Sequence, residues 1–259
     1  MILDGKTLVV TGVGPGLGRE VARIALRDGA KVVLAARRRE KLEATAKELD
    51  PSGKRVALCA TDITDAAQCQ KLVATAEGHF GGLDGVVQVA ALDVLFGGVM
   101  EASDEDWQAS FATNVMGPVH VVRAAAPALE RRGGGSIVLI GSQSSLYPQI
   151  PQAAYASAKG ALHSAMYCMA QEFGPKRIRV NSVVPTWMWG PPVQAYVDGE
   201  AKRRGVPVAE VVAEIQRRFP LGEIPADEDV AEAVVFLCSD RARMITGQAL
   251  LVNAGELLR

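Results

Sequence analysis

The sequence predicts an α/β protein built on a doubly wound sheet of about seven mostly parallel strands, with helices on both faces. Three observations carry this. Short apolar or β-branched runs alternate with longer helical patterns along the chain, as successive βαβ units do. The runs are continuously apolar rather than alternating, as expected of strands covered by helices on both sides. A glycine-rich turn joins the first run directly to the helical pattern behind it.

The candidate strands are 7–11, 31–36, 55–60, 85–89, 136–140, 179–184 and 249–252, and each of the first six is followed by a helical or mixed segment. No linker, low-complexity tract or internal repeat divides the chain, so one domain over residues 1–259 is expected, long enough to bury a large core. Hydrophobic residues are 49% and charged residues 22%, with a net charge of −1, which provides no field for nucleic acid. Cys59, Cys69, Cys168 and Cys238 lie far apart, and with His79, His120 and His163 they show no metal-ligand or redox spacing, so no metal site is expected. Met1 to Gly5 lead straight into the first strand without a secretory pattern, and no apolar stretch approaches membrane-spanning length. A cytoplasmic protein without membrane or nucleic-acid partners is the expectation.

The first strand ends in Thr11-Gly12-Val13-Gly14-Pro15-Gly16-Leu17-Gly18, and a helical pattern follows from Arg19. Glycines there permit a tight turn and close approach of backbone to a pyrophosphate, and the helix N-terminus offers free N–H groups to it. Gly12, Gly14, Pro15, Gly16, Leu17 and Gly18 are therefore candidates for holding a dinucleotide. The second strand ends Ala35-Ala36 and is followed at once by Arg37-Arg38-Arg39. A carboxylate at that strand end would bind a ribose 2′-hydroxyl, whereas arginine accepts a 2′-phosphate. Arg37 and Arg38 favour NADP(H), with NAD(H) left possible, and Arg39 reads as the solvated start of the next helix.

In Tyr155-Ala156-Ser157-Ala158-Lys159 a phenol and an ammonium stand four residues apart, on one face of a helix. Moving a tyrosine pKa from ~10 towards neutrality takes about 4 kcal/mol. A lysine charge about 4 Å away supplies that order of energy at an effective dielectric of ~20. The pair could therefore work as a general acid/base at neutral pH.

Thr-Gly-x-x-x-Gly-x-Gly near the N-terminus with Tyr-x-x-x-Lys past mid-chain resembles the single-domain short-chain dehydrogenase/reductase family, and the resemblance runs from Gly5 to Asn253. It implies a Rossmann-type sheet, a nicotinamide cofactor and a homotetramer, or failing that a homodimer. It also implies Asn114 as a catalytic asparagine in a proton relay towards Lys159. Ser142, thirteen residues before Tyr155, becomes the group that orients a substrate carbonyl, with Ser144 and Ser145 ranked second. Asp62, with Ile63 beside it, falls where the family contacts adenine, and Ala90, Pro185 and Met188 fall along the cofactor. Two segments depart from the pattern. Gln88-Val89-Ala90-Ala91 replaces the usual Asn-Asn-Ala-Gly, which predicts a strand end without its polar ties. Thr186 and Gly190 replace a glycine and a threonine, which leaves the backbone of Met188 to hold the carboxamide.

Residues 186–226 fall where the family places its variable substrate lobe. Trp187, Trp189 and Tyr196 there, with Leu92, Tyr147 and the rest of 92–100 and 146–150, suggest an apolar, partly aromatic wall. The expected reaction is reversible hydride transfer between nicotinamide and a hydrophobic ketone or secondary alcohol. Two alternatives stay open: a 3-oxoacyl-thioester reductase, whose anionic carrier could meet Lys202, Arg203 and Arg204, and a cofactor-binding regulator without catalysis. An epimerase or dehydratase is disfavoured by the short chain and the glycine spacing.

Overall fold

The computed structural model describes residues 1–258. Seven strands form one parallel sheet: β1 (Thr7–Thr11), β2 (Lys31–Ala36), β3 (Val56–Ala60), β4 (Gly85–Gln88), β5 (Gly135–Ile140), β6 (Ile178–Pro185) and β7 (Ala249–Val252). The order is β3-β2-β1-β4-β5-β6-β7. The expected strand boundaries hold to within one residue, and every paired strand is parallel. Strand order reverses between β1 and β4, so their carboxyl ends open a crevice where α/β sheets bind ligands.

Helices α1 (Leu17–Arg27), α2 (Arg39–Leu49) and α9 (Asp227–Cys238) cover one face, burying Ile24, Leu42 and Val234 with Leu8, Val10 and Leu34 of the sheet. Helices α3 (Ala66–Phe80), α5 (Gly117–Arg131) and α6 (Ala153–Phe173) cover the other, where Leu72, Leu129 and Met166 pack on Val9, Val86 and Ile137. Two faces buried by side chains from the same strands explain why the strands read as unbroken apolar runs. Helix α4 (Asp104–Phe111) begins on a capping box at Ser103 and Asp106 and runs through a π-helical turn (Ala112–Met116) into α5. Among the described residues, no helix is long and apolar enough to cross a membrane.

Between β6 and α9 stand α7 (Pro191–Arg204) and α8 (Val208–Gln216). They share a small core of Val197, Ala201, Val211, Ile215 and Phe219, separate from the two layers on the sheet.

Candidate active site

A cleft of about 870 Å³ runs along the carboxyl ends of the strands. At one end the turn from Gly12 to Gly18 lies against the start of β4's exit loop. A side chain at Gly12 would place its Cβ 2.4 Å from the Ala90 nitrogen, and one at Gly18 would fall 2.4 Å from the Gly12 carbonyl oxygen. Gly12 also sits at φ 71°, which favours glycine. Beside Gly14, by contrast, there is open space. The turn is thus a bare backbone cradle ahead of the uncapped N-terminus of α1, and it fits the pyrophosphate of a dinucleotide. Asp227 lies across from it. Its Oδ2 would be 3.5 Å from a Cβ at Gly16, and burial, with Glu20 nearby, raises its carboxyl above the usual range.

Arg37 and Arg38 line the cleft beyond the end of β2, are exposed, and have no ion-pair partner among the described residues. Arg39 pairs with Glu43 one helical turn on, at 2.9 Å. Lys41 joins Arg37 and Arg38 on the cleft wall. Lys41 stands in the first turn of α2 and was not anticipated from the sequence. Asp62 and Ile63 line the same end. The Asp62 carboxylate accepts from the Thr64 hydroxyl at 2.7 Å and the Thr64 N–H at 2.9 Å, which holds it below its ordinary pKa, with Arg37 adding to the effect.

The altered end of β4 is tied after all. Thr11 Oγ1 donates to Gln88 Oε1 at 2.7 Å, and Gln88 Nε2 donates to the Ala90 carbonyl at 3.2 Å. The N–H groups of Val89 and Ala90 point back to the same threonine oxygen, at 3.2 and 3.4 Å. The expectation of a strand end without polar ties is therefore corrected. The longer glutamine side chain, buried beside Thr11, supplies the ties from one residue.

In the middle of the cleft stand Ser142, Tyr155 and Lys159. Lys159, buried, donates to the Ile140 carbonyl at 2.7 Å and lies 5.6 Å from the centre of the Tyr155 ring. Burial pulls its ammonium down to about 8, against an opposing pull from Asp93. Burial pushes the Tyr155 phenol well above its ordinary value, while the Ser142 side chain, within hydrogen-bonding reach, draws it partly back. The expected direction for the phenol is thus reversed. Desolvation dominates, and the Lys159 amine is turned towards β5, onto the Ile140 carbonyl. Ser142 Oγ also meets Ser144 Oγ at 2.8 Å, so the two hydroxyls act together rather than as rivals.

Asn114 does not line the cleft. It is fully buried in the π-helical turn, where its amide accepts from the Leu92 N–H and donates to the Leu92 carbonyl, both at 2.9 Å, and donates to Ser110 Oγ at 3.1 Å. Its side chain is spent on fixing the loop after β4.

The far end of the cleft is walled by Leu92, Phe96, Tyr147, Ile150, Trp187 and Tyr196. Trp187 and Tyr196 meet at a centroid distance of 5.1 Å. Trp189 faces a separate shallow hollow beside Arg19, Arg23 and Glu228, which corrects its assignment to the substrate wall. Pro185 and Met188 line the cleft, but the Met188 carbonyl already accepts from the Gly190 N–H at 2.6 Å. Gln149 falls within the expected 146–150 segment, as a polar group on a wall read as apolar, whereas Gln143 was not anticipated, because nothing local in sequence marks it.

The family model described as enoyl-(acyl carrier protein) reductase matches residues 12–256. The chain is 33% identical over 253 residues to 2-(S)-hydroxypropyl-CoM dehydrogenase 3 of Xanthobacter autotrophicus, covering 98% of this chain and 97% of that protein. It is 32% identical to human dehydrogenase/reductase SDR family member 4, covering 98% of this chain and 88% of the relative. In three dimensions it is similar to L-sorbose reductase from Gluconobacter frateurii, solved with NADPH and L-sorbose, with a TM-score of 0.93 at 29% identity over the full length of both chains. With the glycine cradle, the strand order and the Tyr155–Lys159 pair in one cleft, these likenesses converge: the chain belongs to the short-chain dehydrogenase/reductase family, nicotinamide-dependent oxidoreductases acting on alcohols and ketones.

Proposed function

We propose that this enzyme is an NADP(H)-dependent carbonyl reductase or secondary-alcohol dehydrogenase acting on a hydrophobic ketone or alcohol. The observation that carries the cofactor choice is the end of β2, where Ala36 stands in place of a carboxylate and Arg37 and Arg38 have no ion-pair partner among the described residues. Two exposed guanidiniums with Lys41 suit a 2′-phosphate, through forked charge-assisted hydrogen bonds. The dinucleotide would lie from Asp62 past the Gly12–Gly18 turn to Pro185 and Met188, and its nicotinamide supplies or accepts the hydride.

The chain's own residues do the rest. Tyr155, kept protonated by burial, gives its proton to the carbonyl oxygen as that oxygen becomes an alkoxide, and takes one back in the reverse direction. Ser142 holds the carbonyl beside it. Lys159 keeps a positive charge at the cleft floor at neutral pH and stabilises the phenolate that proton donation leaves behind. Leu92, Phe96, Tyr147, Ile150, Trp187 and Tyr196 favour an apolar substrate body over a sugar-like one.

The acyl-carrier alternative is the weaker reading, because the basic run on α7 is largely neutralised. Arg203 pairs with Glu200 and Arg204 with Glu214, each at 2.6 Å. Residues 1–259 are read as one domain, residues 186–226 as its substrate lobe, and the assembly as a cytoplasmic homotetramer. The deciding experiment is a titration with NADPH and NADH, followed by a panel of aryl and alicyclic ketones. At least tenfold tighter binding of NADPH is expected, with turnover of apolar ketones. Tighter NADH binding overturns the cofactor assignment.

A further inference from the structure

The chain after β7 turns back on itself. Ala254 and Gly255 both take left-handed backbone conformations, at φ 49° and 88°. Asn253 holds this turn, accepting from the Gly255 N–H at 3.0 Å and donating to the Leu257 carbonyl at 3.0 Å. The turn sends Glu256 towards the substrate end of the cleft. There its carboxylate accepts from Gln143 Nε2 at 2.8 Å, from Gln149 Nε2 at 2.5 Å, and from Thr186 Oγ1. Gln143 directly follows Ser142, and its own Oε1 accepts from Asn253 at 2.7 Å. Gln149 also accepts from the Trp187 indole at 3.4 Å and from Arg218, whose guanidinium lies 5.9 Å from the Trp187 ring centre. Thr186 directly follows Pro185.

We propose that Glu256 is a positioning residue for the substrate side of the cleft. Its carboxylate latches the segment after β5 to the segment after β6, and so sets where Ser142 and Trp187 stand. A carboxylate suits this place better than an amide. All three partners are donors, and a carboxylate is acceptor-only with room for several bonds, whereas an amide would turn an NH₂ group against at least one of them. The role assumes the ketone site proposed above, but the latch itself can be read without a substrate.

The test compares wild type with Glu256→Ala and Glu256→Gln by hydrogen exchange, NADPH titration and ketone kinetics. In both variants the amides of 143–150 and 186–190 are expected to exchange at least tenfold faster, while NADPH affinity stays within threefold. With any ketone that the wild type reduces, KM is expected to rise at least fivefold. Glu256→Gln keeps the side-chain volume, so it decides the matter if Glu256→Ala fails to fold. Faster exchange confined to 253–258, or a Glu256→Gln variant that behaves as wild type, overturns the latch. If the wild type reduces no ketone, the proposed function fails while the exchange result still decides the role of Glu256.

Discussion

Thr11 Oγ1 donates to Gln88 Oε1 at 2.7 Å, across the two central strands at the point where strand order reverses. This is the bond that closes the floor of the cleft beneath the glycine turn. Gln88 is 2% exposed, so replacing it by leucine leaves the Thr11 hydroxyl without its acceptor in a dry site. An unmet buried group of this kind costs about 1–3 kcal/mol. Gln88→Leu is therefore expected to lower the melting midpoint by several degrees and to weaken NADPH binding several-fold. Adding Thr11→Val should restore only part of the loss, because the Val89 and Ala90 N–H groups keep no partner. An unchanged midpoint in the single variant would show that the tie contributes nothing.

Gly12→Ala tests the cradle itself. The added Cβ falls 2.4 Å from the Ala90 nitrogen and 2.6 Å from its Cα, both backbone atoms that cannot swing aside. Cofactor binding should be lost in calorimetry, with a lower melting midpoint. Wild-type affinity would mean that the turn relaxes freely and is no cradle.

Much of this was legible in the sequence, and the failures share a cause. The strands were readable because burial on both faces makes each a local apolar run, as in Val32–Leu34 of β2, all fully buried. The glycine turn, the paired arginines and the Tyr155–Lys159 spacing were readable because each motif lies within a few residues. What was missed depends on contacts between distant positions. Gln88 replaces the usual ties only because Thr11 lies on the adjacent strand, 77 residues away. Glu256 meets Gln143 across 113 residues. Trp189 lies on a different hollow from Trp187, in a segment whose backbone N–H at Trp189 is held by the distant Pro225 carbonyl at 2.7 Å. The phenol's direction was misjudged because spacing reveals a nearby charge but not the depth of burial.

Arg37 and Arg38 carry the cofactor preference. Hydrogen bonds to charged groups contribute about 1.5–3 kcal/mol, less where solvent screens them, as at this exposed strand end. Arg37→Ala/Arg38→Ala should weaken NADPH at least tenfold in a fluorescence titration and leave NADH within twofold. Equal losses for both cofactors would place the arginines on a surface common to the two, and remove the argument for the 2′-phosphate.

Asp227 should act against the cofactor. Its half-buried carboxylate faces Gly16 at the N-terminus of α1, where the pyrophosphate would lie, and burial already disfavours its charge. Asp227→Asn removes one negative charge from that end and keeps the shape. The dissociation constant for NADPH is expected to fall about threefold at pH 8, with a smaller gain at pH 5, where more of the native carboxyl is protonated. A weaker complex at both values would make Asp227 a binding group rather than a brake.

The pH dependence of reduction follows from the half-buried Tyr155 and the buried Lys159. Tyr155 must be protonated to act as the acid, and burial keeps it so well past neutrality. Lys159 must be charged, and burial has drawn its ammonium down to about 8. Because the amine's pKa lies below its ordinary value, its charge is present at neutral pH and lost as the medium passes through about 8. The limiting rate of ketone reduction should therefore be flat across neutrality and fall above pH 8, on a limb set by Lys159 rather than by Tyr155. Tyr155→Phe should lower turnover at every pH by at least a thousandfold while NADPH still binds within a few-fold of wild type. A wild-type rate that holds to pH 10 would mean that bound cofactor restores the lysine's ordinary basicity. In that case desolvation does not govern the reaction.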